Sequence, residues 1–430
     1  MILDLTVKNF LSFKDEQVFS LYAENNLTKH EQNLTYPDDK IGTLKVSGIM
    51  GSNASGKSNL IASFSALRYL IIDSGDLKDG DHIGCYEPYL LSEQTKNAST
   101  SFEIEFWLNK TRYNYKIEYD RYNINYECLE FYPKNKAAKL FERTSATDWQ
   151  TDDGVTFGTY YKGGRKRFAF FPNNTLLSKA GNSPDAPQII RDVYNYFRKK
   201  WSFISIGTNV NVLHWQTDPN ALNAMKCLIN NIDLGISSFD FKEKEISDSQ
   251  MDLLNSAPDH IRKVLIEEMS TEVIFNHLDE NGHEIAFPNE LESVGTKRLF
   301  DALPMILLTL KRGSVLFCDE IESSFHSHVV ELIIKLFQDS SINVNSAQLI
   351  FTTHNLNTMK SKLFRKDQIW LAEKNDGATE LSSLDQFNSV LRDNSPFSKW
   401  YDEGRLGGIP SINYGQIKKT ICTLMDNNDA

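Results

Sequence analysis

The chain has little of what marks several protein classes. Its five cysteines (Cys85, Cys128, Cys227, Cys318 and Cys422) are scattered, odd in number and form no CxxC. That argues against a zinc ribbon or a disulfide framework and points to a reducing compartment. No apolar run reaches the roughly 18–20 residues needed to span a bilayer. The N-terminus opens on a strand pattern rather than a charged-then-apolar leader. The expectation is a cytoplasmic protein with no membrane contact. Positive charge is also short: 46 Lys and Arg against 57 Asp and Glu leave a net charge of −11, which excludes a chain that coats nucleic acid over its whole surface. No segment sustains three heptads, so a long coiled-coil arm is missing. There is no internal repeat and no low-complexity tract.

What the chain does have starts at Gly51-Ser52-Asn53-Ala54-Ser55-Gly56-Lys57-Ser58, a P-loop pattern. It follows the apolar run Val46 to Met50, which reads as a buried strand. It precedes Leu60, Ile61, Phe64 and Leu67 at helical spacing. Glycines let backbone wrap closely round phosphates, and a helix N-terminus aims free N–H groups and partial positive charge at them. Lys57 is the expected ligand of the β- and γ-phosphates of ATP, and the Ser58 hydroxyl a ligand of Mg²⁺. Asn59 closes the candidate nucleotide-binding stretch.

Two further strands end in chemistry-bearing residues. Ser314-Val315-Leu316-Phe317-Cys318 runs into Asp319-Glu320. Asp319 suits a metal-supporting carboxylate, and Glu320 a group that polarises an attacking water. Gln348-Leu349-Ile350-Phe351-Thr352-Thr353 ends at His354, placed to sit over the γ-phosphate. Glu320 and His354 are the candidate catalytic residues; Ser58 and Asp319 are the candidate metal ligands.

The order of these pieces resembles an ABC-type ATPase head. Glu292-Ser293-Val294-Gly295-Thr296-Lys297-Arg298, followed by Leu299, Phe300, Leu303, Ile306 and Leu307 at helical spacing, looks like a divergent ABC signature. The resemblance implies that Ser293 and Gly295 reach the nucleotide held by a second protomer. Ile321-Glu322-Ser323-Ser324-Phe325-His326 resembles a D-loop. Leu5-Thr6-Val7-Lys8-Asn9-Phe10-Leu11-Ser12-Phe13 resembles the opening of SMC- and RecF-type heads. Arg365 to Leu371, with Lys399-Trp400-Tyr401 and Gly404 to Pro410, resembles the tail of stand-alone bacterial AAA-type ATPases of the RecF/OLD-like group, which serve anti-phage systems such as PARIS, Septu and abortive-infection pairs. Two departures stand out: Val294 and Thr296 where transporter heads carry Gly-Gly-Gln, and Ala54 where a glycine is common.

The fold class expected is α/β: a P-loop NTPase head with an inserted antiparallel sheet and helical sub-domain. The division runs 1–71 (P-loop half), 72–285 (insertion) and 286–430 (signature, Asp319-Glu320, His354 and tail). Residues 101–108, 113–119 and 126–132 alternate like a meander, while about 187–201, 218–231 and 249–268 look helical. Residues 173–187, rich in Asn, Ser, Gly and Pro, read as an exposed loop. The basic runs 162–167 and 198–200 are solvated loop or helix end, or else a contact for nucleic acid or an acidic protein. His326 and His328 suit an interface or cap better than a metal. No second carboxylate or histidine cluster suggests a nuclease centre.

The resemblance implies a homodimer closed round two ATP, acting as a sensor that controls a separate effector, a toxin or nuclease, on a phage-protein or nucleic-acid trigger. A RecF-like DNA-maintenance ATPase and a nucleotide-gated scaffold with little turnover are the competing readings.

Overall fold

Strand Val46–Met50 is buried at every residue, as is Gln348–Thr353, because both faces of their sheet are covered. That is the habit of parallel strands flanked by helices, and it explains why they read as continuous apolar runs. In this computed structural model the sheet runs in the order Trp201–Ile204, Val315–Cys318, Gln348–Thr353, Val46–Met50, Ile369–Asn375, Ala378–Ser383. The first five strands are parallel, and the last folds back antiparallel on its neighbour. The structure describes residues 1–430 except 25–28, 39, 135, 145–153, 167, 205–217, 233–234, 256–261, 263–264, 267–268, 324, 356–359, 388–394, 408–412 and 427–430. Arg167, Ser324, Gly408, Ile409, Pro410 and parts of the 249–268 helix expectation therefore lie outside the described residues.

A second, antiparallel sheet has the order Val155–Phe157, Ala138–Arg143, Ile124–Phe131, Thr111–Tyr119, Thr100–Leu108, Ile2–Lys8, Gln17–Ser20. Here burial alternates: Phe102, Ile104 and Phe106 face the core while Glu103 and Glu105 face outward. The meander is thus present, longer than its three expected strands. The turn at Asn109 and Lys110, both left-handed (φ 50 and 61), suits a tight hairpin.

Helix Lys57–Ile72 joins the two sheets. Phe64 lies 4.6 Å from Phe317 of the parallel sheet and 6.2 Å from Phe19 of the antiparallel one, ring centroid to centroid. On the opposite face of the parallel sheet, helices Val294–Arg312 and Ser327–Gln338 bury Ile306, Leu310, Val330, Ile334 and Phe337 against Val46, Leu316, Leu349 and Phe351. The segment 72–285 is interleaved with its flanks: its strand Trp201–Ile204 edges the parallel sheet, and Ile2–Lys8 pairs with its strand Thr100–Leu108.

Two expectations need correction. Residues 173–187 are not an exposed loop. Asn173, Asn174 and Thr175 are at most 1% exposed, and Leu176–Gly181 is a helix capped by Thr175. The asparagines are buried because their amides satisfy backbone carbonyls of another segment: Asn174 donates to Ser74 and Leu77, Asn173 to Lys78 and Asp81. The second half of the insertion is also not purely helical. Beside helices Gln188–Lys200, Pro219–Asn231 and Asp248–Asn255 it forms a three-stranded antiparallel sheet, Ile236–Glu243, Thr271–Leu278 and Glu284–Pro288. Phe239 and Phe275 of that sheet pack edge-on against Phe300 of the helix that follows Ser293, at 4.9 and 5.0 Å.

Candidate active site

The parallel sheet brings three strand ends to one edge, the carboxyl edge where doubly wound sheets bind ligands. Met50 leads into the P-loop, Cys318 into Asp319, and Thr353 into His354. Gly56 starts the helix with φ 102, and a β-carbon there would collide with Thr379 Oγ1 and Ser12 Oγ. Only glycine fits. Ala54 holds φ 63, which is the physical reason a glycine is common at its position. Thr379 clamps the loop from outside: its hydroxyl donates to the Ser55 carbonyl at 2.8 Å and accepts from Ser12 Oγ at 2.7 Å, while Asn59 donates to Ser12, at 2.6 Å. Asn59 therefore anchors the loop to the N-terminal turn.

Lys57 is only 6% exposed. Its ammonium donates to the Gly51 and Ser52 carbonyls at 2.9 and 2.8 Å, so it lies along the loop's inner side. Burial lowers its pKa, against the opposing field of Glu322, Glu320 and Asp319. Ser58 Oγ donates to Asp319 Oδ1 at 3.0 Å, and Thr352 Oγ1 donates to the same oxygen at 2.6 Å. Thr352 Oγ1 in turn accepts the Glu320 N–H at 2.7 Å. Glu320 turns through a left-handed φ of 50, a conformation that L residues adopt rarely. Among the described residues no hydrogen bond or ion pair engages its carboxylate.

A hydroxyl beside a carboxylate is a hard-oxygen pair that fits Mg²⁺, and the glycine-tight loop with its lysine fits a polyphosphate. Ser58 and Asp319 are the residues that would hold the ion. The P-loop from Gly51 to Ser58 would hold the phosphates.

His354 is half exposed, and its Nδ1 lies 2.7 Å from Glu322 Oε1. Glu322, Thr352, Ser12 and Thr379 were not picked out as site residues in the sequence. The available signals were a second glutamate two positions past Glu320 and a hydroxyl interrupting an apolar strand.

Ser293 caps its helix, accepting the Thr296 N–H at 3.1 Å. Neither it nor Gly295 meets the P-loop of the same chain among the described hydrogen bonds and ion pairs. Exposed Leu291 and Val294 flank it, 69% and 63% accessible. Of the basic runs, Lys162, Arg165 and Lys166 are exposed, while Lys200 donates to the Arg312 carbonyl and so closes a helix end. His326 caps helix Ser327–Gln338. Among the described residues no three His, Cys, Asp or Glu side chains converge as metal ligands, and no helix is long and apolar enough to cross a membrane.

A model of the family described as "AAA domain, putative AbiEii toxin, Type IV TA system" matches residues 46–360, from the P-loop strand past His354. No relative among the curated proteins matches. Solved structures similar to the chain include the SMC head domain from Thermotoga maritima, at 13% identity and TM-score 0.41, covering 89% of this chain and 98% of that one. An SMC head bound to the C-terminal winged-helix domain of ScpA is 14% identical with TM-score 0.43, over 90% and 99% of the two chains. An SMC head with an extended coiled coil from Pyrococcus furiosus, bound to the C-terminal domain of ScpA, is 12% identical with TM-score 0.39, over 90% and 98%.

Proposed function

The chain belongs to the AAA_21 family, and on that footing we propose that it is an ATP-binding and ATP-hydrolysing ABC-type head, pairing with a second copy round ATP and controlling a separate effector in bacterial anti-phage defence. The observation that carries the ATPase reading is the Ser58–Asp319 contact at 3.0 Å, with Thr352 on the same carboxylate oxygen.

The chain's own residues supply the steps. The P-loop backbone and Lys57 hold the phosphates and offset their charge. Asp319 and Ser58 hold Mg²⁺, which when bound neutralises charge that builds on the phosphate oxygens. Glu320, next after Asp319, orders the attacking water, and His354 stands at the neighbouring strand end. Ser293 and Gly295 act on the partner's nucleotide: their exposed helix start, flanked by apolar Leu291 and Val294, offers a surface for the second copy. ATP favours the engaged pair by bridging the two surfaces, and hydrolysis releases it. The output is a change of shape passed to an effector rather than a product.

The family description, which names a toxin of a toxin–antitoxin system, supports a defence setting over DNA maintenance. Challenging cells that carry the chain and its neighbouring genes with a phage panel tests this. Protection against at least one phage, lost with Lys57→Ala, is expected. Protection that Lys57→Ala leaves intact contradicts a nucleotide-driven sensor, and ATP-dependent, salt-sensitive binding to DNA gaps would favour a maintenance role instead.

A further inference from the structure

We propose that Glu322 is a positioning residue for hydrolysis, one that fixes His354 with its hydrogen on Nδ1 and leaves Nε2 as a bare acceptor for the attacking water. The inference rests on the ATPase reading above and adds to it a third carboxylate with a different task from Asp319 and Glu320.

The geometry is specific. The Glu322 side chain is 6% exposed. One of its oxygens, Oε1, receives two contacts from a single residue: the His354 backbone N–H at 2.6 Å and His354 Nδ1 at 2.7 Å. An ionised carboxylate can only accept. The ring nitrogen facing it must therefore carry the hydrogen, and in a neutral imidazole the other nitrogen is then an acceptor. The same oxygen also pins the peptide from which the ring springs, so both the orientation and the tautomer of His354 are set by one group. This is the arrangement by which buried carboxylates orient working histidines.

Two further facts separate this role from plain packing. Among the described residues, Glu322 Oε2 is buried with no hydrogen-bond partner. A neutral glutamine carbonyl would accept the same two hydrogens without leaving a desolvated anionic oxygen, which is costly. A carboxylate's negative charge is what glutamate adds over glutamine at this position. That charge also acts on Lys57: of the three carboxylates that oppose the burial-driven lowering of its pKa, Glu322 contributes most, ahead of Glu320 and Asp319.

The test uses the full-length protein with ring-¹⁵N-labelled histidine. Long-range ¹H–¹⁵N spectra, with the His354 signals assigned by their loss in His354→Gln, read the tautomer directly. Wild type is expected to show Nδ1–H with an unprotonated Nε2, and Glu322→Gln to shift toward a mixture. In steady-state kinetics Glu322→Gln is expected to lower kcat by about 10–100-fold, with KM for ATP and the Kd of a non-hydrolysable analogue within about twofold of wild type. The double variant with His354→Gln should be no slower than His354→Gln alone, because both lesions remove one function. Glu322→Gln is nearly isosteric and so keeps the test open where Glu322→Ala fails to fold. An Nε2–H tautomer in wild type, unchanged kcat in Glu322→Gln, or losses that multiply in the double variant would each overturn the proposal. If wild type shows no Lys57-dependent turnover, the ATPase reading fails by itself, and the tautomer and its response to Glu322→Gln still decide whether the carboxylate sets the histidine.

Discussion

Ser58 and Asp319 stand 261 residues apart in sequence, yet Ser58 Oγ donates to Asp319 Oδ1 at 3.0 Å. The contact closes a circuit of three strand ends, because Thr352 reaches the same oxygen and also accepts the Glu320 N–H. Asp319, the candidate metal ligand, and the backbone of Glu320, the candidate water-ordering residue, are held in register by one threonine hydroxyl.

Among the described residues the Glu320 carboxylate has no hydrogen bond or ion pair, so replacing it should spare nucleotide binding. Glu320→Gln is expected to bind ATP normally, to hydrolyse it about 10²–10⁴ times more slowly, and to accumulate as a dimer. Sedimentation velocity with ATP and Mg²⁺ reads the dimer. Near wild-type turnover in this variant would remove Glu320 from the mechanism.

On the proposed function, the exposed start of the helix at Ser293 serves the partner's nucleotide, so the sites should be shared between copies. Lys57→Ala loses phosphate binding; Ser293→Arg keeps binding but blocks engagement. An equimolar mixture places both lesions in one composite site and none in the other. Partial recovery of ATP turnover is expected, up to about a quarter of wild type if copies pair at random and sites fire independently. No recovery, with mixed dimers verified by mass spectrometry, would count against a signature at Ser293.

Much of this site could be read from the sequence because its parts are contiguous: the P-loop octapeptide, Asp319-Glu320 and the strand ending at His354 each carry their meaning within a few residues. The Glu322–His354 pair could not, since it spans 32 positions and depends on how two strand ends align. The sheet of Ile236–Glu243, Thr271–Leu278 and Glu284–Pro288 was missed although Asn281-Gly282, with Gly282 at φ 80, is a hairpin signal. Asn173 and Asn174 misled for a different reason. Polar residues read as exposed, but here their amides are spent on the carbonyls of residues 74–81.

The antiparallel sheet is locked to that segment by a buried ion pair. Arg143 and Glu127 are both fully buried, 3.9 Å apart. Arg143 donates to the Asn174 and Pro172 carbonyls, and Glu127 accepts the N–H groups of Leu176 and Leu177. Arg143→Ala strands the carboxylate and should cost about 3–5 kcal/mol, read as a lowered urea midpoint. A change under about 1 kcal/mol would mean the carboxylate is solvated or neutral in the folded chain.

Asp4 provides a pH handle. Burial, then the facing Glu105 carboxylate, raise its pKa from 3.8 to about 7. The folded chain therefore holds this proton more tightly than the unfolded one. Its stabilising effect is complete below about pH 4 and is lost as pH rises through about 7. Asp4→Asn should remove that loss, gaining about 1–3 kcal/mol relative to wild type between pH 5 and pH 8. Denaturant curves at the two pH values check it, and a pH-independent difference would contradict it.

The most direct test of the account is Mg²⁺-dependent release of phosphate from ATP by purified wild-type protein and by Lys57→Ala, measured side by side. Lys57 is buried against the carbonyls of Gly51 and Ser52 and is the one ammonium in the P-loop. Wild type is expected to turn over ATP, and Lys57→Ala to fall by at least about 100-fold with its fold intact by circular dichroism. Equal rates in the two proteins, or no turnover in either at any protein concentration, would contradict the claim that this edge of the sheet is an ATPase site.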